Sequence, residues 1–195
     1  MKKKGVRAMQ AAQLTAIRAQ LEEIFGTKIE VSGDDASPTF TITGSEHSLP
    51  LTISAGQWNE IKVLPGKTPR YYPEDDLHGL FRNLEAYANG KTCLLDYVDE
   101  NGVESKQDRL ILATQVDNMK ATDLQEFCVN LNLIGSKELD HMLLMGGKVR
   151  LRFWKPELNF NLVYNVDKLV RQDVAHPATN PIDNKTLFET YKLPD

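Results

Sequence analysis

Four short runs, KIEVS, PTFTITG, LPLTISA and NEIKVL, constrain the fold more than any other feature of the chain. In them Ile29/Val31, Phe40/Ile42 and Leu51/Ile53 alternate with polar neighbours. Successive side chains of a strand point to opposite faces, so a period of two describes strands with one face buried and one wet. The intervening GDDASP and GSEHS are turn chemistry. Together these segments predict an antiparallel meander.

The flanking segments change period. Leu14, Ile17, Leu21, Ile24 and Phe25 recur at three- and four-residue spacing, which predicts a helix from about Ala8 to Phe25, ended by Gly26. PGKTPRYYP reads as a proline-punctuated loop. A second helix is expected from Pro73 or Glu74 to Ala88, with Leu77, Leu80, Phe81 and Leu84 as its stripe and Glu74, Asp75 and Asp76 at its positive end. Thr122 and Gln125 form a candidate capping box for a third helix striped by Leu124, Phe127, Cys128 and Leu131. A short helix follows over Ser136 to Met145. VRLRFW and NFNLVYNV, separated by KPEL, predict a second hairpin within 148–170.

The most site-like stretch is CLLDYVDENGVESKQDRLILATQVD. Aligned on Gly102 as a calcium loop, it places Asp99 and Asn101 at ligand positions but puts Tyr97 where the leading carboxylate belongs. Its flanks, Cys93–Val98 and Arg109–Val116, have strand character, and Asn101–Gly102 is a hairpin turn signal. It reads as a hairpin with a long or bulged tip.

Other candidates dissolve into ordinary structure. Gly66–Lys67–Thr68 and Gly90–Lys91–Thr92 lack the glycine five positions earlier and the following helix that a phosphate loop requires. His47, His78, His141 and His176 show no metal-ligand spacing, and dyads of Cys93 with His78 or Cys128 with His141 rest on spatial proximity alone. Arg150, Arg152 and Lys155 beside Trp154 read as a solvated strand face in preference to a nucleic-acid surface. No catalytic, cofactor-binding or metal-binding residue is expected.

With 195 residues, the chain suits one α+β domain over 1–170 and a polar, flexible tail over 171–195. A net charge of −4 speaks against a duplex-binding field, and no run is long enough to insert in a membrane. The opening MKKKGVRAMQ lacks the apolar core of a signal peptide, and Cys93 and Cys128 read as reduced core thiols, so a cytoplasmic setting is expected. In the tail, Asp183 or Asn184 can cap a short helix that gathers Leu187, Phe188 and Tyr191 on one side. That segment needs a surface, and a partner's groove is favoured because the core is complete without it.

The order helix, three strands, helix, hairpin, helix over about Ala8 to Met145 resembles the small type III secretion chaperones and the YbjN-like proteins. The likeness is carried by Leu77 to Leu139, where a helix spaced LxxLFxxL ends in Asn89–Gly90. It continues through CLLDYVDENG and RLILATQVD into a helix opening at Thr122. The resemblance implies an α+β fold, an antiparallel sheet flanked by helices in an α-βββ-α-ββ-α layout over 8–145, with the hairpin and tail as additions. It also implies a non-enzymatic chaperone or adaptor that binds a secreted effector or another secretion-complex protein, with homo- or heterodimer pairing. Phe40, Ile42, Leu51 and Ile53 would then lie near the client groove, joined by Leu187, Phe188 and Tyr191 of the tail. An immunity or antitoxin-like protein that covers a basic toxin is the alternative.

Overall fold

The computed structural model describes residues 11–33, 38–44, 51–55, 60–116, 121–165 and 168–174. Helix α1 (Ala11–Phe25) leads into a meander of β1 (Glu30–Ser32), β2 (Thr39–Ile42), β3 (Leu51–Ala55), β4 (Glu60–Leu64) and β5 (Arg70–Pro73), which pair in sequence order as one antiparallel sheet. The alternating pattern sets the register. Phe40 lies opposite Ile53, which lies opposite Val63, and Ile42 lies opposite Leu51. These residues are all buried, together with Ile61. Their face carries α1, through Ile17 and Leu21, and α2 (Leu77–Ala88), through Leu80 and Leu84.

Strand β5 was not expected, because its segment is bracketed by Pro69 and Pro73. A proline donates no ladder hydrogen bond, yet an edge strand tolerates one, and β5 is the edge of its sheet. Pro73 consequently belongs to the strand, and α2 starts later than the acidic run suggested. Asp76 is its N-cap, accepting from the amide of Gly79 at 2.9 Å.

The second half builds a separate antiparallel sheet. Strands β6 (Thr92–Val98) and β7 (Arg109–Leu112) form the expected hairpin, then a 3-10 turn at Ala113–Gln115 takes the place of continued strand. Helices α3 (Ala121–Asn130) and α4 (Ser136–Leu144) follow, then β8 (Lys148–Arg152), β9 (Phe160–Asn165) and β10 (Lys168–Asp173). The order across the sheet is β10-β9-β8-β6-β7. Thr122 is the second residue of α3 as described, and the Gln125 amide hydrogen-bonds Asp140 on α4. Strand β10 extends the folded part to Asp173, so Arg171, Gln172 and Asp173 are ladder residues paired with Leu162, Asn161 and Phe160. Arg171, Gln172 and Asp173 therefore do not belong to the expected tail, and residues 175–195 lie outside the described residues.

The class is α+β, with helices flanking two sheets of five strands each. The second sheet is covered on both faces. Cys93, Leu95, Val149 and Leu151 join Leu124, Cys128, Leu139 and Met142 of α3 and α4 in a second core. On the opposite face Leu94 belongs to the first core, as does Trp154 just after β8. That face also carries charge.

Candidate functional site

Strand β6 is buried almost throughout, and Asp96 at its centre has no solvent exposure. A carboxylate in such a place requires cations and donors. Register supplies the first, because Asp96 sits directly opposite Arg150 on β8. The guanidinium donates to both carboxylate oxygens, Nε to Oδ1 at 2.8 Å and Nη2 to Oδ2 at 2.6 Å. Two residues on, Arg152 donates to the same Oδ2 at 2.9 Å. The alternation that aims Val149 and Leu151 at the helices necessarily aims both arginines at this face.

The third cation comes from the first sheet. Lys67, in the turn between β4 and β5, reaches Asp96 at 3.2 Å, Glu104 at 2.7 Å and the carbonyl of Ser105 at 2.8 Å. Glu104 also accepts from Arg150 at 2.7 Å. Hydrogen bonds from Arg150 and Lys67 hold its carboxyl at about 2, well below the usual carboxylate range. Burial would lower the pKa of the Arg150 guanidinium, but Asp96 and Glu104 outweigh that and raise it.

Asp108 completes the arrangement from the descending arm of the hairpin. It is buried, and its two oxygens accept from the backbone amides of Lys67 at 2.6 Å and Thr68 at 2.9 Å. The Thr68 hydroxyl in turn accepts from the Asp108 amide at 3.1 Å. The Gly66–Lys67–Thr68 triplet thus does present two converging amides to an anion, which its lack of phosphate-loop spacing had argued against. The anion is the protein's own carboxylate. A methyl group at Gly66 would overlap Asp108 Oδ2 and Leu94 Cδ1, so glycine is what lets the carboxylate approach. Arg152 stands 3.6 Å from Asp108, and its Nε is buried without a partner.

Three cations, Lys67, Arg150 and Arg152, therefore face three carboxylates, Asp96, Glu104 and Asp108. Charge balances within the group, and each carboxylate already holds a cation or a pair of amides. The chemistry is that of a clasp. Sequence reading had treated the two arginines as a solvated face and set aside Gly66–Lys67–Thr68 as no phosphate loop, and it had left Asp96 within the Cys93–Val98 strand without a partner. The available signal was an aspartate inside an otherwise apolar strand run, LLDYV, which calls for a buried counter-charge.

The hairpin tip is closed on itself, since Asp99 Oδ1 accepts from the amides of Asn101 at 2.9 Å and Val103 at 2.7 Å, with Gly102 at φ +81°. Among the described residues no group of three or more His, Cys, Asp or Glu side chains is placed to hold a metal ion. Cys93 and Cys128 are both buried and form no disulfide, whereas His78 and His141 lie on exposed positions. Burial pushes the Cys128 thiol up to about 12, which removes the thiolate. Burial likewise raises the Tyr87 phenol, with Arg152 acting in the opposite sense.

Phe40, Ile42, Leu51 and Ile53 are 0–4% exposed and form the interior between sheet and helices. They do not line an accessible groove, because α1 and α2 occupy the face that a client would need. Leu187, Phe188 and Tyr191 lie outside the described residues, as do His47 and His176. Compared with protein-family models, with curated proteins and with solved structures, the chain gives no match.

Proposed function

We propose that the chain is a non-enzymatic chaperone or adaptor that binds an extended segment of a protein client, an effector or another component of a bacterial specialised secretion system. The observation that carries this reading is the outer edge of β10. It ends the second sheet, and among the described residues no strand pairs with its far side. Arg171, Gln172 and Asp173 are exposed along it. An unpaired edge offers a row of main-chain donors and acceptors, onto which a partner strand can add. The ionic pair of Arg171 with Asp173 at 2.8 Å restrains indiscriminate pairing without covering the backbone.

This moves the client from the inner face of the first sheet to the edge of the second. The interior face is filled, while an edge needs no rearrangement before it binds. The helix, meander, helix and hairpin order that prompted the chaperone resemblance is consistent with the same role.

The test is isolation of the full chain with its client from native cells, followed by hydrogen exchange on the complex. The β10 amides that face away from β9 should slow by about tenfold or more when the client is bound, equivalent to at least about 1.4 kcal/mol of added protection. A client that binds while β10 exchange stays unchanged would sink the edge reading. Turnover of a small molecule by the purified chain would sink the non-enzymatic one.

A further inference from the structure

A groove of about 710 Å³ opens where α1 and α2 both end, against the turn that joins β8 to β9. Ile24, Phe25 and Ala88 line it on the helix side, and Trp154 and Pro156 face them. Phe25 and Trp154 meet edge to face with their centroids 4.8 Å apart, which makes a firm aromatic floor. The rim is weighted towards negative charge. Glu23 and Glu157 stand there against Lys155, and the C-terminal ends of two helices, at Gly26 and Asn89, add partial negative charge.

The described chain leaves the fold beside this groove. Strand β10 runs back along β9 to Asp173, opposite Phe160, and the amide of Val174 donates to the carbonyl of Asn159 at 3.3 Å. Asn159 directly follows the Pro156–Leu158 turn that forms one wall. Twelve residues, 175–186, then separate Val174 from Leu187. Such a linker reaches about 40 Å when extended and about 20 Å when relaxed, so distance is no obstacle. Attachment also presents the segment at an effective concentration in the millimolar range, where weak affinity suffices.

The sequence past that linker matches the groove in chemistry. In a helical turn Leu187, Phe188 and Tyr191 would share one side, and Lys185 and Lys192 flank Phe188 at three and four residues in sequence. We infer that residues 183–192 of the chain occupy its own Phe25–Trp154 groove, with Leu187 and Phe188 on the aromatic floor and the two lysines against Glu23 and Glu157. The sequence had pointed this segment at a partner because the core is complete without it, and the groove at the strand exit offers a surface on the chain itself. The inference goes beyond the client reading, and each can fail without the other.

Zero-length carbodiimide coupling of the full chain tests it, with mixed light and heavy isotope-labelled chains and mass-spectrometric readout. Links from Lys185 or Lys192 to Glu23 or Glu157 should form within single chains and persist on dilution. They should vanish in the full chain carrying Leu187→Asp and Phe188→Asp, and that variant should shift the Trp154 indole and the Gly26 and Asn89 amide resonances. An unchanged far-ultraviolet circular-dichroism spectrum of that variant shows that it still folds. Links between light and heavy chains would mean that a second copy is the occupant. Absence of links in the isolated chain would leave the groove to an external partner, and links that survive the double substitution would not depend on the apolar contact. Any of these three results overturns the inference.

Discussion

Asp96 accepts from Lys67, Arg150 and Arg152 at a point without solvent exposure, so its removal leaves cations with fewer partners than their burial requires. Taking away one member of a buried ionic group costs about 3–5 kcal/mol, and Asp96→Ala should lose that much in urea unfolding. Glu104 has the same cations as neighbours, but half of its side chain is exposed. Glu104→Gln should cost about 1 kcal/mol or less. Its pH dependence has a definite sign. The folded carboxyl titrates at about 2, below its unfolded value near 4.5, so its stabilising contribution is fully present above the unfolded value. It is lost as pH falls through the window between them. Carboxyl NMR titration should place the Glu104 midpoint near 2, and a midpoint above 4 would show that the ion pairs do not persist in solution.

At the scale of elements, periodicity did well where one face of a segment meets the core. Leu124 and Cys128 of α3 are fully buried, while Phe127 and Leu131 are only partly covered. Leu124→Ala should accordingly cost about 2–5 kcal/mol in chemical denaturation and exceed Phe127→Ala, whose ring retains solvent contact. An equal loss at both positions would mean that α3 is more deeply packed than described. Strand β10 alters the expectation for truncation. If everything from Arg171 were tail, removal of residues 172–195 would leave the melting temperature nearly unchanged, but it cuts a ladder in which Gln172 and Asp173 pair with Asn161 and Phe160. It also removes the partner of Arg171, whose guanidinium lies 4.0 Å from the Phe160 ring centroid. A chain ending at Arg171 should therefore melt about 2–4 °C below one ending at Val174, as a loss of roughly 1 kcal/mol dictates for this size. Identical melting would place β10 outside the cooperative unit.

Across the whole molecule, two cores are joined by a few groups of different kinds. Leu94 and Trp154 leave the second sheet to pack in the first core, and Asp108 clamps the amides of Lys67 and Thr68. Asp108→Ala strands two part-buried donors and should cost about 1–3 kcal/mol, with the Lys67 and Thr68 amides exchanging faster. Gly66→Ala should act in the same direction because its methyl displaces the same carboxylate. If both variants leave exchange at 67 and 68 unchanged, the clamp does not link the sheets. The sequence by itself determined the α+β class, the meander, the hairpin tip and the helical stripes, because each follows from a period of two or 3.6 read over a few neighbouring residues. It also determined that Arg150 and Arg152 share a strand face. Only the tertiary structure decided that this face is interior, that Lys67 and Asp108 meet across 41 positions, and that β5 is a strand at all. Those outcomes depend on which segments become neighbours in space. Local periodicity is silent there, since a charged face looks the same whether water or three carboxylates lie opposite it.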